Sequence, residues 1–150
     1  LVLTANRHTH KAYIKCRENN FSLNGLMGVN LYKKTAGIVG TGKIGLAMAR
    51  ICRGFGMKVI GYDPFLSVKA ALSLKPGVKT VTDVNDLYAA SDYITIHVPY
   101  NADTKGTIGE KSIAVMKDGV RILNFARGEL ADTAAVLAAV RSQQTQLRKG

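Results

Sequence analysis

The 150-residue sequence predicts an α/β fold, a doubly wound parallel sheet in three layers, and three observations carry that expectation. Short, wholly apolar stretches of strand length recur between segments whose apolar residues fall at helical spacing. Strands that lack polar alternation are buried on both faces, which requires parallel pairing, right-handed crossovers and helices on each side of the sheet. A glycine-rich turn separates the first such strand from the first such helix.

Taken in order, residues 1 to about 20 read as a polar helical arm. Ala5, Ala12 and Cys16 are its inward positions among His8, Lys11, Lys15 and Arg17. Phe21 to Tyr32, with Asn24-Gly25 and Gly28, is an extended, turn-rich connection. Residues 35–40 form the first buried strand. From Ile44, the residues Ala47, Met48, Ile51, Cys52 and Phe55 follow one helix face. Gly56 supplies a left-handed stop, and Lys58 to Asp63 is the second strand. Ser67 caps a helix over about 68–74, Pro76-Gly77 turns the chain, and 78–81 is the third strand. A helix over about 83–90, with Val84, Leu87 and Tyr88 on one side, precedes the fourth strand, Tyr93 to His97. A helix over 109–116 ends at Asp118-Gly119, residues 120–125 form the fifth strand, and Asp132 caps a last helix from 133 to about 142. The expected divisions are an arm and connection (1–34), a sheet domain (35–142) and a loose polar tail (143–150).

Composition narrows the function classes. Hydrophobic residues make up 47% and charged residues 21%, a globular balance, and no apolar run approaches the roughly 20 residues a bilayer span needs. A net charge of +11 raises a polyanion as partner. Its distribution points away from nucleic acid: residues 1–34 carry a net +5, while residues 66–120 carry six bases against six acids. Cys16 and Cys52 are too few for a disulfide framework, and Cys52 falls at an apolar helical position, so a reduced thiol and a cytoplasmic home are expected. No metal-ligand cluster or signal peptide is apparent, and the missing initiator Met points to a fragment or a processed chain.

The chemistry concentrates in the turn Gly40, Thr41, Gly42, Lys43, Ile44, Gly45, a G-x-G-x-x-G. It follows a strand and opens a helix, and Asp63 ends the next strand 18 residues after Gly45. That context suits a Rossmann-type dinucleotide site. Gly40 allows the tight turn, Gly42 lets the backbone approach a pyrophosphate, and Gly45 lets helix and strand pack closely. The helix N-terminus turns unpaired N–H groups and a positive dipole end toward the phosphates. Asp63 would accept from the ribose hydroxyls and repel a 2′-phosphate, favouring NAD over NADP, although Lys69 lies close by in sequence. The competing readings are a plain glycine turn and a loop or cap acid.

These residues resemble the D-isomer-specific 2-hydroxyacid dehydrogenases. The markers are the Gly40 to Gly45 turn, Tyr62-Asp63-Pro64, His97-Val98-Pro99 with Thr104 shortly after, and Asn124, Phe125, Ala126, Arg127 and Gly128. Residues 1 to about 65 resemble the D-lactate dehydrogenase branch; about 67–140 are more similar to bacterial 3-phosphoglycerate dehydrogenase. The resemblance implies NAD as cofactor and a reversible hydride transfer between NADH and a 2-oxo acid such as pyruvate or 3-phosphohydroxypyruvate. It further implies that His97, Val98 and Pro99 help wall the cofactor pocket, that Asn124, Phe125 and Ala126 line the nicotinamide side, and that Arg127 is catalytic. Arg127 would hold the substrate carboxylate and carbonyl oxygen, a task suited to a planar cation with two-point binding. His97 has the alternative of a hydrogen-bonded core histidine, and Arg127 that of a surface arginine.

The family's acid-base His and its partner Glu lie, by the resemblance, beyond Gly150, as does a sixth strand. An isolated chain is therefore expected to bind cofactor and turn over poorly, since proton transfer contributes typically about 10²- to 10⁴-fold. A homodimer is expected, because the helix matching residues 1–20 lies at the subunit boundary in the family and an open sheet edge invites association. A small-molecule substrate, without nucleic acid or membrane, completes the expectation. A non-catalytic NAD-binding sensor or corepressor is the alternative reading.

Overall fold

The computed structural model describes residues 2–65 and 77–147, in two units, Leu1–Leu31 and Tyr32–Gly150. In the first, α1 (Val2–Arg7) and α2 (Thr9–Arg17) replace the single helical arm expected. His8 is the reason: its φ of 52° lies in the left-handed region, where an ordinary helix cannot continue. The inward positions also differ. Ala5 and Cys16 are exposed and Ala12 half-buried, while the buried residue of α1 is Asn6, whose amide donates to the Val29 carbonyl.

The second unit is built on β1 (Thr35–Val39), buried from Ala36 onward, so both of its faces are covered. After it come α3 (Lys43–Gly54), β2 (Lys58–Tyr62) and β3 (Lys79–Thr80). Then follow α4 (Val84–Ala90), β4 (Tyr93–Ile96), α5 (Glu110–Val115), β5 (Arg121–Asn124) and α6 (Thr133–Leu147). The five strands are parallel in the order β3-β2-β1-β4-β5, as a doubly wound sheet requires. The helix expected over 68–74 lies outside the described residues. The third strand shrinks to two residues, and α6 continues past 142 to Leu147.

Alternation along β1 shows the layering. Gly37 faces α4, against Leu87 and Ser91, and its neighbour Ile38 faces α3, against Gly45. Val39, Ile60, Leu87, Tyr88, Ile94, Ile96, Ile108 and Leu130 form the core on the α4 side. Each such aliphatic side chain contributes about 1.5–3 kcal/mol by leaving water. Asp83 caps α4 by accepting from the Asn85 N–H at 2.8 Å, and Asp132 caps α6 through Ala134 and Ala135.

The face that α3 buries differs from the stripe expected. Gly45, Ala49 and Cys52 are buried, whereas Ile44 is 72% and Ile51 54% exposed, and Ala47 and Phe55 are exposed too. Close approach to the sheet selects the small residues: a Cβ on Gly45 would collide with the Gly40 carbonyl oxygen. The larger apolar side chains are turned outward. Burial pushes the Cys52 thiol above its ordinary pKa, so it stays a neutral core group.

At the amino-terminal edge, Asp92 accepts from the Thr35 N–H at 2.7 Å and pairs with Lys117 at 3.2 Å. Partial burial pushes its carboxyl upward, but the Thr35 bond together with Lys117 and Lys34 outweighs that and holds it below its ordinary value.

Candidate functional site

Register brings the sequence-predicted residues to one edge of the sheet. Val39 pairs with Tyr62 on one side and Ile96 on the other, and Ile96 pairs with Asn124. Gly40, Asp63, His97 and Phe125 therefore leave four adjacent strands at the same level, at spacings of about 4.8 Å. The order in which strands are added reverses between β1 and β4, which opens the crevice where doubly wound folds take ligands.

The turn after β1 is held from both sides. Gly40 has φ 91°, its N–H donates to the Tyr62 carbonyl at 2.8 Å, and a Cβ there would strike the His97 carbonyl group. No side chain caps the first turn of α3, and around Gly42, its N-cap residue, no atom lies within 4 Å of where a Cβ would stand. Lys43 and Ile44, which begin the helix, are exposed. This is open space over the backbone donors of a helix N-terminus, which fits a pyrophosphate.

Asp63 ties the turn to β2. Its Oδ2 accepts from the Thr41 N–H at 2.9 Å and the Thr41 hydroxyl at 3.2 Å, and its Oδ1 accepts from the Phe65 N–H at 3.0 Å. Thr41 is buried while Asp63 is half-buried, so the carboxylate sits at a surface with capacity left on Oδ1. One acid both fixes the glycine turn and presents an acceptor beside it.

A cavity of about 740 Å³ opens next to this corner. Of the predicted residues it is lined by Tyr62, Pro64, Val98 and Thr104. Thr104 also closes its own loop: its hydroxyl donates to the Pro99 carbonyl at 2.6 Å and accepts from the Asn101 N–H. Sequence reasoning missed the far wall, supplied by Val84, Asn85 and Tyr88 from α4 and by Ser112 from α5. Helical spacing marks Tyr88 as inward but carries no sign that inward means a cavity. His97 Nε2 is 2.9 Å from the Thr95 hydroxyl, and burial lowers its pKa, favouring the neutral ring. That is the hydrogen-bonded histidine of the alternative reading, placed nonetheless beside the glycine turn.

The loop after β5 is arranged by Asn124. Its amide donates to the Arg127 carbonyl at 2.7 Å, and its Oδ1 accepts from the Ala126 N–H at 3.1 Å. Arg127 and Phe125 are exposed, and the guanidinium turns back to donate to the Ala126 carbonyl at 3.1 Å. These residues share the carboxyl edge with the turn but are not part of the cavity wall.

Comparison with known proteins bears on the family and the fold. Residues 1–147 match the family described as D-isomer specific 2-hydroxyacid dehydrogenase, NAD binding domain. D-lactate dehydrogenase of Escherichia coli is 43% identical over 144 residues, 96% of this chain and 43% of that protein. D-3-phosphoglycerate dehydrogenase of Methanocaldococcus jannaschii is 38% identical over 141 residues, 94% of this chain and 26% of that protein. Among solved structures, D-lactate dehydrogenase from Aquifex aeolicus, complexed with NAD and lactic acid, superposes with a TM-score of 0.83 at 34% identity, covering 95% of this chain and 42% of that one. The chain thus spans less than half the length of each of these relatives. With the five-stranded parallel sheet and the glycine turn in place, it belongs to the D-isomer specific 2-hydroxyacid dehydrogenases, as an NAD-binding domain of that family.

Proposed function

We propose that this chain is the cofactor half of an NADH-dependent reduction of a 2-oxo acid to a D-2-hydroxy acid. The observation that carries the reading is Asp63, bonded to Thr41 beside an open glycine turn with acceptor capacity remaining. Its negative charge favours ribose hydroxyls and disfavours a 2′-phosphate. The backbone donors of the Gly40 to Gly45 turn would hold the pyrophosphate, the cavity lined by Tyr62, Pro64 and Val98 the adenosine end, and Asn124, Phe125 and Ala126 the nicotinamide end. Bound NADH would supply the hydride.

Arg127 would release its bond to the Ala126 carbonyl and fork across the carboxylate and carbonyl oxygens of the substrate, polarising the bond that accepts hydride. His97 is occupied with Thr95 and held toward its neutral form, so it walls the site and does not move the proton. By this reading the chain binds cofactor and turns over poorly. The names of the relatives favour pyruvate or 3-phosphohydroxypyruvate as substrate. The open sheet edge at β5, none of whose residues is fully buried, supports a homodimer, checked by sedimentation across concentration. Among the described residues no helix is long and apolar enough to cross a membrane. The free thiols of Cys16 and Cys52 support a cytoplasmic home.

Calorimetric titration with NADH and NADPH tests the cofactor reading. NADH binding at least about tenfold tighter than NADPH is expected from the charge of Asp63; equal affinities, or none, would overturn it. Ready NADH oxidation by the pure chain with pyruvate would overturn the expectation of poor turnover.

A further inference from the structure

One buried polar side chain on the cavity wall is used neither by the fold nor by the site described so far. Tyr88 on α4 lines the cavity, is 2% exposed, and its hydroxyl is, among the described residues, the buried side-chain polar atom with no hydrogen-bond partner. Buried polar groups are paired in folded proteins with few exceptions, and an unpaired one is costly. A phenylalanine would fill the same core position beside Leu87 and Ile96 without that cost. The threonine and serine hydroxyls of the cavity are engaged: Thr104 with Pro99, Thr107 with the Thr104 carbonyl, and Ser112 with the Gly109 backbone.

Burial, with Tyr62 nearby, pushes the Tyr88 hydroxyl up to about 12, so it remains a neutral O–H at physiological pH, able both to donate and to accept. Small-molecule cavities of this kind are largely apolar, and a few polar groups fix the orientation of the occupant. The walls here fit that description: Val39, Val84 and Val98 supply apolar surface, and Tyr62 and Pro64 flank the Asp63 corner. A purine edge offers ring nitrogens that accept and, in adenine, an amine that donates, and a neutral phenol can meet either.

We propose that the Tyr88 hydroxyl is a binding contact for the cofactor, hydrogen-bonding the edge of the adenine base when it fills this cavity. The proposal rests on the reading that the adenosine end of NAD occupies the space between the Asp63 corner and α4. The hydroxyl, buried without a partner among the described residues, would gain one from the bound base.

The test is Tyr88→Phe in the 150-residue chain, with NADH and ADP-ribose titrated calorimetrically and thermal melting followed without ligand. One lost neutral hydrogen bond predicts roughly fivefold weaker binding of both ligands, with a melting temperature equal to or above that of the unsubstituted chain. Affinities within about twofold would overturn the proposal. A lowered melting temperature would overturn it too, because it would mean the hydroxyl already has a partner without ligand. If the unsubstituted chain binds neither ligand, the reading of the whole site falls with it, and that arm alone separates the two failures.

Discussion

At the Asp63 end of the sheet's carboxyl edge, one carboxylate accepts three hydrogen bonds from the protein, and the adjoining strands β1 and β4 are almost wholly buried. At the Arg127 end, β5 has no fully buried residue, and the guanidinium rests on its neighbour's carbonyl in an exposed loop. The cofactor corner is shaped by packing that the fold needs anyway. The reacting corner is attached to the fold by the two bonds of Asn124, so function and stability are separable there.

The largest effect that separates the two ends comes from adding one methyl group. Gly45→Ala drives a Cβ into the Gly40 carbonyl and should cost about 3 kcal/mol in urea unfolding, with NADH binding lost; Gly128→Ala, with nothing within 4 Å, should change stability by less than about 0.5 kcal/mol. Next in size, Asp63→Ala should weaken NADH binding at least about tenfold and cost about 1–2 kcal/mol, because the Thr41 N–H loses its acceptor. Unchanged stability would mean that Asp63 does not hold the turn. Arg127→Gln sharpens the contrast from the other side: NADH affinity should stay within about twofold and stability within about 0.5 kcal/mol. Uptake of oxamate, a 2-oxo acid analogue, by the NADH complex should disappear. A loss of NADH affinity would show that the two ends are coupled.

The smallest effect is a pH dependence. Burial lowers the pKa of His97, so the folded state resists a proton that the unfolded chain accepts. The contribution is fully present above the unfolded value near 6.5 and is lost as pH falls below it toward the folded value. Stability measured between pH 7.5 and 5 should decline modestly, and His97→Gln should flatten that part of the profile.

Much of this was legible from the residues. Buried strands announce themselves as short apolar runs, and Gly40, Gly45 and Asp63 stand at an interval that few other structures demand. The rotation of α3 was not legible, because periodicity finds an apolar stripe without saying which stripe meets the sheet. There the small pair Gly45 and Ala49 prevailed over the larger Ile44 and Ile51, since contact distance mattered more than hydrophobicity. The break at His8 is a single left-handed residue in a sequence that otherwise favours helix. The cavity wall from α4 and α5 arises from tertiary packing, and no local signal distinguishes Tyr88 as a core residue from Tyr88 as a wall.

The bond from Asp63 to Thr41 also has a kinetic consequence. Since the protein's own bonds from Thr41 to Asp63 fasten the glycine turn, an arriving dinucleotide meets a finished surface and need not wait for that loop to order. Encounter is then limited by diffusion and orientation. Differences among variants of this corner should accordingly appear in how long the cofactor stays, while the rate at which it arrives remains nearly constant.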